Sequence, residues 1–193
     1  MRTRLPLLVI VCVAGILVGG LILIRPAKFS KFEGNAPVLT LAFQYPEGWR
    51  LEQEEGTIDP YRKVRLLGPR NREDTYTCYI SVTGFPKKEL GGKFETLDEF
   101  ARHYKQHLLA NARIEAEGAS LIAGQNGIDL TTSSTIPPLY KHGLKAIEIP
   151  VKTRTVFIQN GSYLYQIIYG ADVRDYGLHA QAFEHLLKTL RFQ

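Results

Sequence analysis

Two histidines, His103 and His107, have the spacing of metal ligands. Imidazoles four residues apart on a helix lie one turn from each other and can bind the same metal ion. The residues between them are Tyr104, Lys105 and Gln106, so the glutamate that follows the first histidine in zinc proteases is absent. The pair is therefore either a metal site or two histidines on the surface of a helix.

Other catalytic patterns are incomplete. No serine lies in a Gly-x-Ser-x-Gly turn, which would support a nucleophile of the hydrolase type. The run Gly91-Gly92-Lys93 lacks the upstream glycine and the downstream Ser or Thr of a phosphate-binding loop. Cys78 lies within a predicted strand, where a buried and inert thiol is expected. The sequence thus predicts no catalytic residue and no cofactor.

Residues 84–95 form a long connection rich in glycine and lysine. Long ordered loops in compact domains often serve binding. Lys87, Lys88 and Lys93 are therefore candidate contacts to a partner protein or to lipid headgroups. The alternative is a flexible connector.

This loop leads into a predicted helix that carries both histidines. Thr96 and Glu99 have the spacing of a capping box, and Asp98 and Glu99 suit the positive end of the helix dipole. An apolar stripe at helical spacing follows, formed by Leu97, Phe100, Ala101, Tyr104, Leu108 and Ala112. The stripe predicts a helix that packs on a sheet.

The rest of the domain is predicted to be mostly β-structure. Apolar alternation and turn residues predict strands at 38–45, 49–51, 64–67, 75–82, 119–123, 128–134 and 144–158, with a turn at 124–127. Pro150 indicates an edge or a bulge in the last of these. Asn160-Gly161 predicts a type I′ hairpin turn between 156–159 and 162–169. A second amphipathic helix is predicted at 178–190.

The N-terminal region has a different character. Residues 5–24 contain no charge and no amide, and twenty helical residues cover about 30 Å, the thickness of a bilayer core. We expect a transmembrane signal anchor at 5–24, preceded by a cytoplasmic tail at 1–4 and followed by a linker at 25–37 and a globular domain at 38–193. A cleavable signal ending near Gly19 and Gly20 is the alternative.

The formal charge of +5 belongs to the flanks of this segment, because Arg2, Arg4, Arg25, Lys28 and Lys31 account for all of it. Residues 33–193 are neutral overall, which argues against nucleic-acid binding. The short N-terminal tail predicts a domain on the extracytoplasmic side of the cell membrane, although the positive charges are balanced across the segment.

Small residues lie on one face of the predicted anchor. Gly15 and Gly19 have the small-xxx-small spacing that allows transmembrane helices to approach closely, and Cys12 falls on the same face. A homodimer formed through this segment is thus one expectation. Cys12 and Cys78 are the only cysteines, so the domain contains no internal disulfide.

The order of these elements resembles the PsbP-like family. The resemblance rests on an early strand that ends in Tyr45-Pro46-Glu47-Gly48-Trp49, on the helix start Thr96-Leu97-Asp98-Glu99-Phe100, and on the strand, turn, strand and helix at the C-terminus. It implies an α+β fold, an α/β/α sandwich with a mainly antiparallel twisted sheet. Members of this family are binding and assembly proteins, and none of their functional residues can be matched here.

The function expected from these observations is a non-enzymatic, membrane-tethered binding or assembly module with an unknown protein partner. Two alternatives remain open. One is an envelope hydrolase or metal-dependent enzyme that uses His103 and His107. The other is a structural envelope component that dimerises through its transmembrane segment.

Overall fold

The computed structural model describes residues 28–55, 61–70, 76–136 and 149–193. These residues form ten strands, two α-helices and two short 3-10 turns. The strands are β1 (Phe29–Glu33), β2 (Leu41–Pro46), β3 (Arg50–Glu55), β4 (Arg62–Leu67), β5 (Cys78–Pro86), β6 (Arg113–Ile122), β7 (Gln125–Ile136), β8 (Ile149–Asn160), β9 (Tyr163–Asp172) and β10 (Arg191–Phe192). The helices are α1 (Leu97–Gln106) and α2 (Tyr176–Thr189), and the 3-10 turns are Pro37–Leu39 and Lys88–Leu90.

The strands form two sheets. Seven strands are ordered β3-β4-β5-β9-β8-β7-β6, and three form a small sheet in the order β1-β2-β10. Every pairing between them is antiparallel. The predicted α+β class with a mainly antiparallel sheet is therefore confirmed, whereas the division into two sheets is not visible in the sequence pattern.

The two helices cover opposite faces of the large sheet. Along β8 and β9, side chains alternate between faces, so Phe157 and Leu164 pack with α1 while Val156 and Tyr165 belong to the larger core on the other side. That larger core also contains Phe183 of α2 and Phe43 of the small sheet. The layers are thus α1, the large sheet, and then α2 with the small sheet.

The prediction that ordered structure starts at Val38 is wrong, because β1 lies inside the predicted linker. β1 pairs with β2 along Phe29 to Glu33. Phe32 is its one buried side chain, and its ring stacks on Phe43 with 4.9 Å between centroids. A five-residue strand with a single inward residue produces no alternation that a sequence pattern could reveal.

The first helix is shorter than its apolar stripe predicts. It ends at Gln106, and Leu108 and Ala112 lie in the turn before β6. The His107 Nδ1–H donates to the His103 carbonyl oxygen (2.8 Å), which satisfies one of the carbonyl groups left unpaired at a helix end. Residues 113–118 were not predicted as a strand. They are exposed along the edge strand β6 and therefore lack an apolar face.

Both predicted hairpins exist, but their turns differ from the prediction. Asn160 pairs with Tyr163, so the two-residue loop is Gly161-Ser162, and Gly161 has a φ of 56°. The left-handed pair of a type I′ turn lies instead at Ala123 (φ 51°) and Gly124 (φ 78°), between β6 and β7. An alanine in that conformation carries backbone strain, which a propensity rule does not anticipate.

Pro150 lies near the start of β8, an interior strand, so the predicted edge or bulge is wrong. The pairing of β8 with β9 begins only at Val151. The Pro150 carbonyl still accepts from the Val173 N–H at 3.0 Å, so the ladder stops where proline has no N–H to donate. The predicted strand residues 144–148 lie outside the described part of the chain.

The predicted anchor at 5–24 also lies outside the described residues. Among residues 28–55, 61–70, 76–136 and 149–193, no helix has the length and apolar content needed to cross a bilayer.

Candidate functional site

A pocket of about 390 Å³ opens between α1 and the loop at 87–95. Much of its wall is aromatic: Phe85, Phe94, Phe100 and Tyr104. Its polar side chains are Lys93, His103, His107 and Gln166. Two groups of residues that the sequence suggested separately, one of the loop lysines and the histidine pair, therefore meet at one site.

The loop reaches this position because two glycines allow it to fold back. Gly91 (φ 83°) follows the 3-10 turn, and its N–H donates to the Lys88 carbonyl at 3.0 Å. A Cβ at Gly92 would lie 1.8 Å from the Pro86 carbonyl oxygen, so only glycine fits there. The Lys88 N–H donates to the Phe94 carbonyl at 2.8 Å and closes the loop.

The start of α1 is fixed by the predicted cap. The Glu99 N–H donates to Thr96 Oγ1 at 3.2 Å, as in a capping box. The Glu99 carboxylate accepts from the N–H of Glu95 at 2.9 Å, one residue earlier than the standard motif requires. The end of the loop and the first turn of α1 are therefore one hydrogen-bonded unit.

Phe100 anchors the aromatic wall. It is 5% exposed, and its ring lies 5.0 Å from those of Phe85 and Phe94 and 5.4 Å from that of Phe157 in β8. The contacts with Phe85 and Phe157 are edge-to-face, an arrangement that aromatic pairs favour. A wall held from both the sheet and the loop forms a pocket that is ready before a ligand arrives.

Tyr104 and Lys105 hold the outer half of α1 on the sheet. The Tyr104 hydroxyl lies 3.2 Å from Thr155 Oγ1 of β8. Lys105 Nζ donates to the Glu117 carboxylate of β6 at 2.7 Å. Tyr104 also affects Tyr79 of β5. Burial is the main reason why the pKa of Tyr79 is raised, and the Tyr104 phenol raises it further.

The rings of His103 and His107 lie close together, and both make contacts within the protein. The His103 ring lies 5.0 Å from Phe94 and 4.1 Å from the ring of His107, nearly perpendicular to the latter. Because a carbonyl oxygen can only accept, the His107 Nδ1–H donates to the His103 carbonyl. In the neutral ring, Nε2 therefore carries no proton and can accept a hydrogen bond. Within the described ranges no group of three His, Cys, Asp or Glu side chains has metal-binding geometry.

The other predicted site residues lie elsewhere. Lys87 and Lys88 belong to the same loop but do not line the pocket. Lys87 is half-buried and its N–H donates to the Ser162 carbonyl at 2.9 Å, whereas Lys88 is exposed. Cys12, Gly15 and Gly19, the predicted contacts between transmembrane helices, are outside the described residues.

Cys78 is 2% exposed, as its strand position predicted. Burial raises the pKa of its thiol to about 11. A thiol in that environment stays protonated at neutral pH and is a poor nucleophile. Cys78 does not line the pocket, where the described residues offer apolar contacts, one lysine and a few hydrogen-bonding groups.

The sequence did not identify Phe85, Phe94 and Gln166 as pocket residues. The two phenylalanines were visible as apolar residues on either side of the glycine and lysine run. That signal was insufficient because aromatic residues next to a loop more often complete a core. Gln166 carries no signal at all, since it is an ordinary polar position of an alternating strand.

No protein-family model matches the chain. No curated protein matches it either. Solved structures do. The solution structure of cyanobacterial PsbP (CyanoP) from Synechocystis sp. PCC 6803 is 14% identical, with a TM-score of 0.50, over 88% of this chain and 95% of that chain. The crystal structure of LpqN, involved in cell envelope biogenesis of Mycobacterium tuberculosis, is 15% identical, with a TM-score of 0.53, over 88% and 92%.

A crystal structure from Bacteroides thetaiotaomicron VPI-5482 is 14% identical with a TM-score of 0.49, and it matches 84% of this chain. The chain spans only 48% of that longer protein. At such identities the likeness shows the fold alone. The chain therefore has a PsbP-like fold, as the resemblance in the sequence implied.

Proposed function

We propose that this protein is a non-enzymatic binding module that is tethered to the cell membrane by residues 5–24 and binds its ligand in the pocket between α1 and the loop at 87–95. The observation that carries the proposal is the preformed aromatic pocket on a PsbP-like fold. Its volume of about 390 Å³ lies within the range of small-ligand sites.

The fold supports a binding role more than a catalytic one. The CyanoP and LpqN structures share this fold with TM-scores of 0.50 and 0.53, and LpqN is involved in cell envelope biogenesis. The apolar N-terminal segment would place this domain at a membrane, with the domain on the extracytoplasmic side.

Site-specific photocrosslinking in native membranes tests the binding surface. The crosslinking amino acid p-benzoylphenylalanine replaces Leu90, which is 50% exposed beside the pocket, and in a matched control it replaces Leu121, which is 72% exposed at the far edge of the sheet. We expect an adduct from position 90 that position 121 does not give. Identical adducts from both positions, or none from position 90, would contradict the proposal.

The tether and the orientation have their own test. Leu121→Cys in a background with Cys12→Ser places an exposed thiol on the domain, and Cys78 is buried. We expect a membrane-impermeant maleimide to label intact cells that express this variant. Labelling that appears only after lysis would contradict the proposed orientation. Release of the chain from membranes by alkaline carbonate would contradict the proposed transmembrane anchor.

A further inference from the structure

An amide side chain lines the pocket on the side of the large sheet. Gln166 of β9 lies opposite Thr83 of β5 and Phe157 of β8, so all three side chains are on the sheet face that α1 covers. Leu164, two residues earlier in β9, is on the same face and packs in the apolar cluster that contains Phe100. Gln166 is therefore a half-buried amide in a mostly apolar part of the pocket.

Within the described ranges, the side-chain amide of Gln166 has no hydrogen-bond partner. Other polar groups of the pocket are already in use. The Tyr104 hydroxyl and the His107 Nδ1–H have partners within the protein, and Lys93 has an interaction of its own in the chain. Gln166 thus presents a donor and an acceptor, side by side in one plane, to whatever enters the pocket.

We infer that the pocket binds an aromatic amide, a ligand with a flat apolar ring system and an uncharged carboxamide or cyclic amide group. The inference rests on the proposed function, because it names the ligand class for the same pocket. The ring system packs against Phe85, Phe94 and Phe100. A cavity of about 390 Å³ corresponds to about a dozen water molecules, which limits the ring system to roughly two fused rings.

The amide group of the ligand pairs with the amide of Gln166. The ligand carbonyl accepts from Nε2, and the ligand N–H donates to Oε1, so two hydrogen bonds form at once. A ligand that fills the pocket covers the Gln166 amide, and a covered donor or acceptor without a partner has a free-energy penalty. Such a penalty rejects an analogue that lacks one hydrogen-bonding group more strongly than apolar contacts distinguish ligands of equal shape. The amide group therefore determines which aromatic ligands bind.

The probes are 2-naphthamide and 2-acetylnaphthalene, which have the same ring system, the same carbonyl group and no charge. They differ in one group, because a methyl in the ketone replaces the NH₂ of the amide. Saturation-transfer NMR titrations use the full chain in phosphatidylcholine nanodiscs, with empty nanodiscs as the blank. We expect the amide to bind at least about tenfold more tightly than the ketone, the effect of leaving one covered hydrogen-bonding group without a partner.

Gln166→Met removes both hydrogen-bonding groups and keeps the length of the side chain. We expect this variant to bind the ketone and to lose the preference for the amide. Gln159→Met is the matched control, since Gln159 lies on the neighbouring strand β8 and does not line the pocket. It is expected to retain the preference. Circular dichroism checks the fold of each variant, and Gln166→Leu replaces Gln166→Met if the latter does not fold.

Equal binding of both probes to the wild type, a comparison that needs no variant, would overturn the ligand class while leaving the pocket as a binding site. An unchanged preference in the variant at position 166 would also overturn it, as would the absence of binding by both probes to the wild type. The crosslinking at position 90 decides the proposed function independently. An adduct there without a preference for the amide would refute the inference alone.

Discussion

Removal of the negative charge at Asp129 is expected to destabilise the domain by about 2 kcal/mol. Asp129 on β7 faces Arg154 on β8, whose Nε lies 3.0 Å from both carboxylate oxygens and whose Nη2 lies 2.6 Å from Oδ2. Arg154 also bonds Glu184 of α2, and its guanidinium lies 5.4 Å from the centre of the Phe183 ring. The arginine thus connects two strands of the large sheet with the helix that closes the core.

The magnitude follows from exposure. The side chains of Arg154 and Asp129 are 25% and 21% exposed, whereas that of Glu184 is 60% exposed. Breaking a fully buried ion pair costs about 3–5 kcal/mol, and an exposed pair contributes at most about 1 kcal/mol. The Asp129 pair lies between these limits, so Asp129→Asn should cost about 2 kcal/mol and Glu184→Gln less than about 1 kcal/mol. The hydrogen bonds to Asp129 are also the main reason why the pKa of Arg154 is raised.

Thermal unfolding followed by circular dichroism measures both variants. For a chain of this length, 2 kcal/mol corresponds to a decrease in Tm of roughly 4–8 °C. Replacing both partners, with Arg154→Met and Asp129→Leu, should cost less than Asp129→Asn alone, because no partly buried charge is left without its counter-ion. The reasoning would be refuted if Glu184→Gln cost as much as Asp129→Asn, or if the double replacement were the most unstable variant.

Three further predictions concern the turns and the buried thiol. Ala123→Asn should raise the free energy of unfolding by about 0.5–1 kcal/mol, because asparagine tolerates the left-handed conformation of this residue; a lower urea midpoint would contradict this. Gly161→Val should lower the free energy of unfolding by about 1–2 kcal/mol, because valine is strained at the positive φ of this residue. An unchanged urea midpoint would contradict this. The Cys78 thiol has a pKa raised to about 11, so its stabilising contribution is complete below about pH 9 and is lost as the pH rises to about 11. Cys78→Ala should therefore flatten the fall in stability over that range, and parallel curves for the two proteins would exclude the effect.

Much of the large sheet is predictable because its strands have apolar residues on a regular period. Ile80 and Val82 in β5, and Tyr165 and Ile167 in β9, alternate toward the main core, and both hairpins carry recognisable turn residues. β1 was missed because it buries only Phe32, and the first half of β6 was missed because it buries nothing. Local pattern rules detect burial, so they fail at the edges of sheets.

The end of α1 shows a second kind of limit. Residues 107–112 continue a sequence that favours a helix, and the chain nevertheless turns at His107. Tertiary contacts explain this: Asn111 Nδ2 donates to the Thr135 carbonyl at 2.8 Å, and β6 pairs with β7 from Arg113 onward. Helix propensity is a weak preference that such contacts override.

The pocket is formed by residues from separate parts of the sequence. Neither of the two sequence patterns that suggested its residues indicates that they meet. Lys93 was a candidate because of its loop, and His103 and His107 were candidates because of their spacing. The close approach of Gly92 to the Pro86 carbonyl folds the loop back over α1, while Phe100, bridging Phe94 and Phe157, holds both elements on the sheet. The histidines that suggested a metal then face an aromatic cavity and a lysine. The positions proposed from the sequence therefore line one cavity, whose aromatic wall the sequence pattern did not indicate.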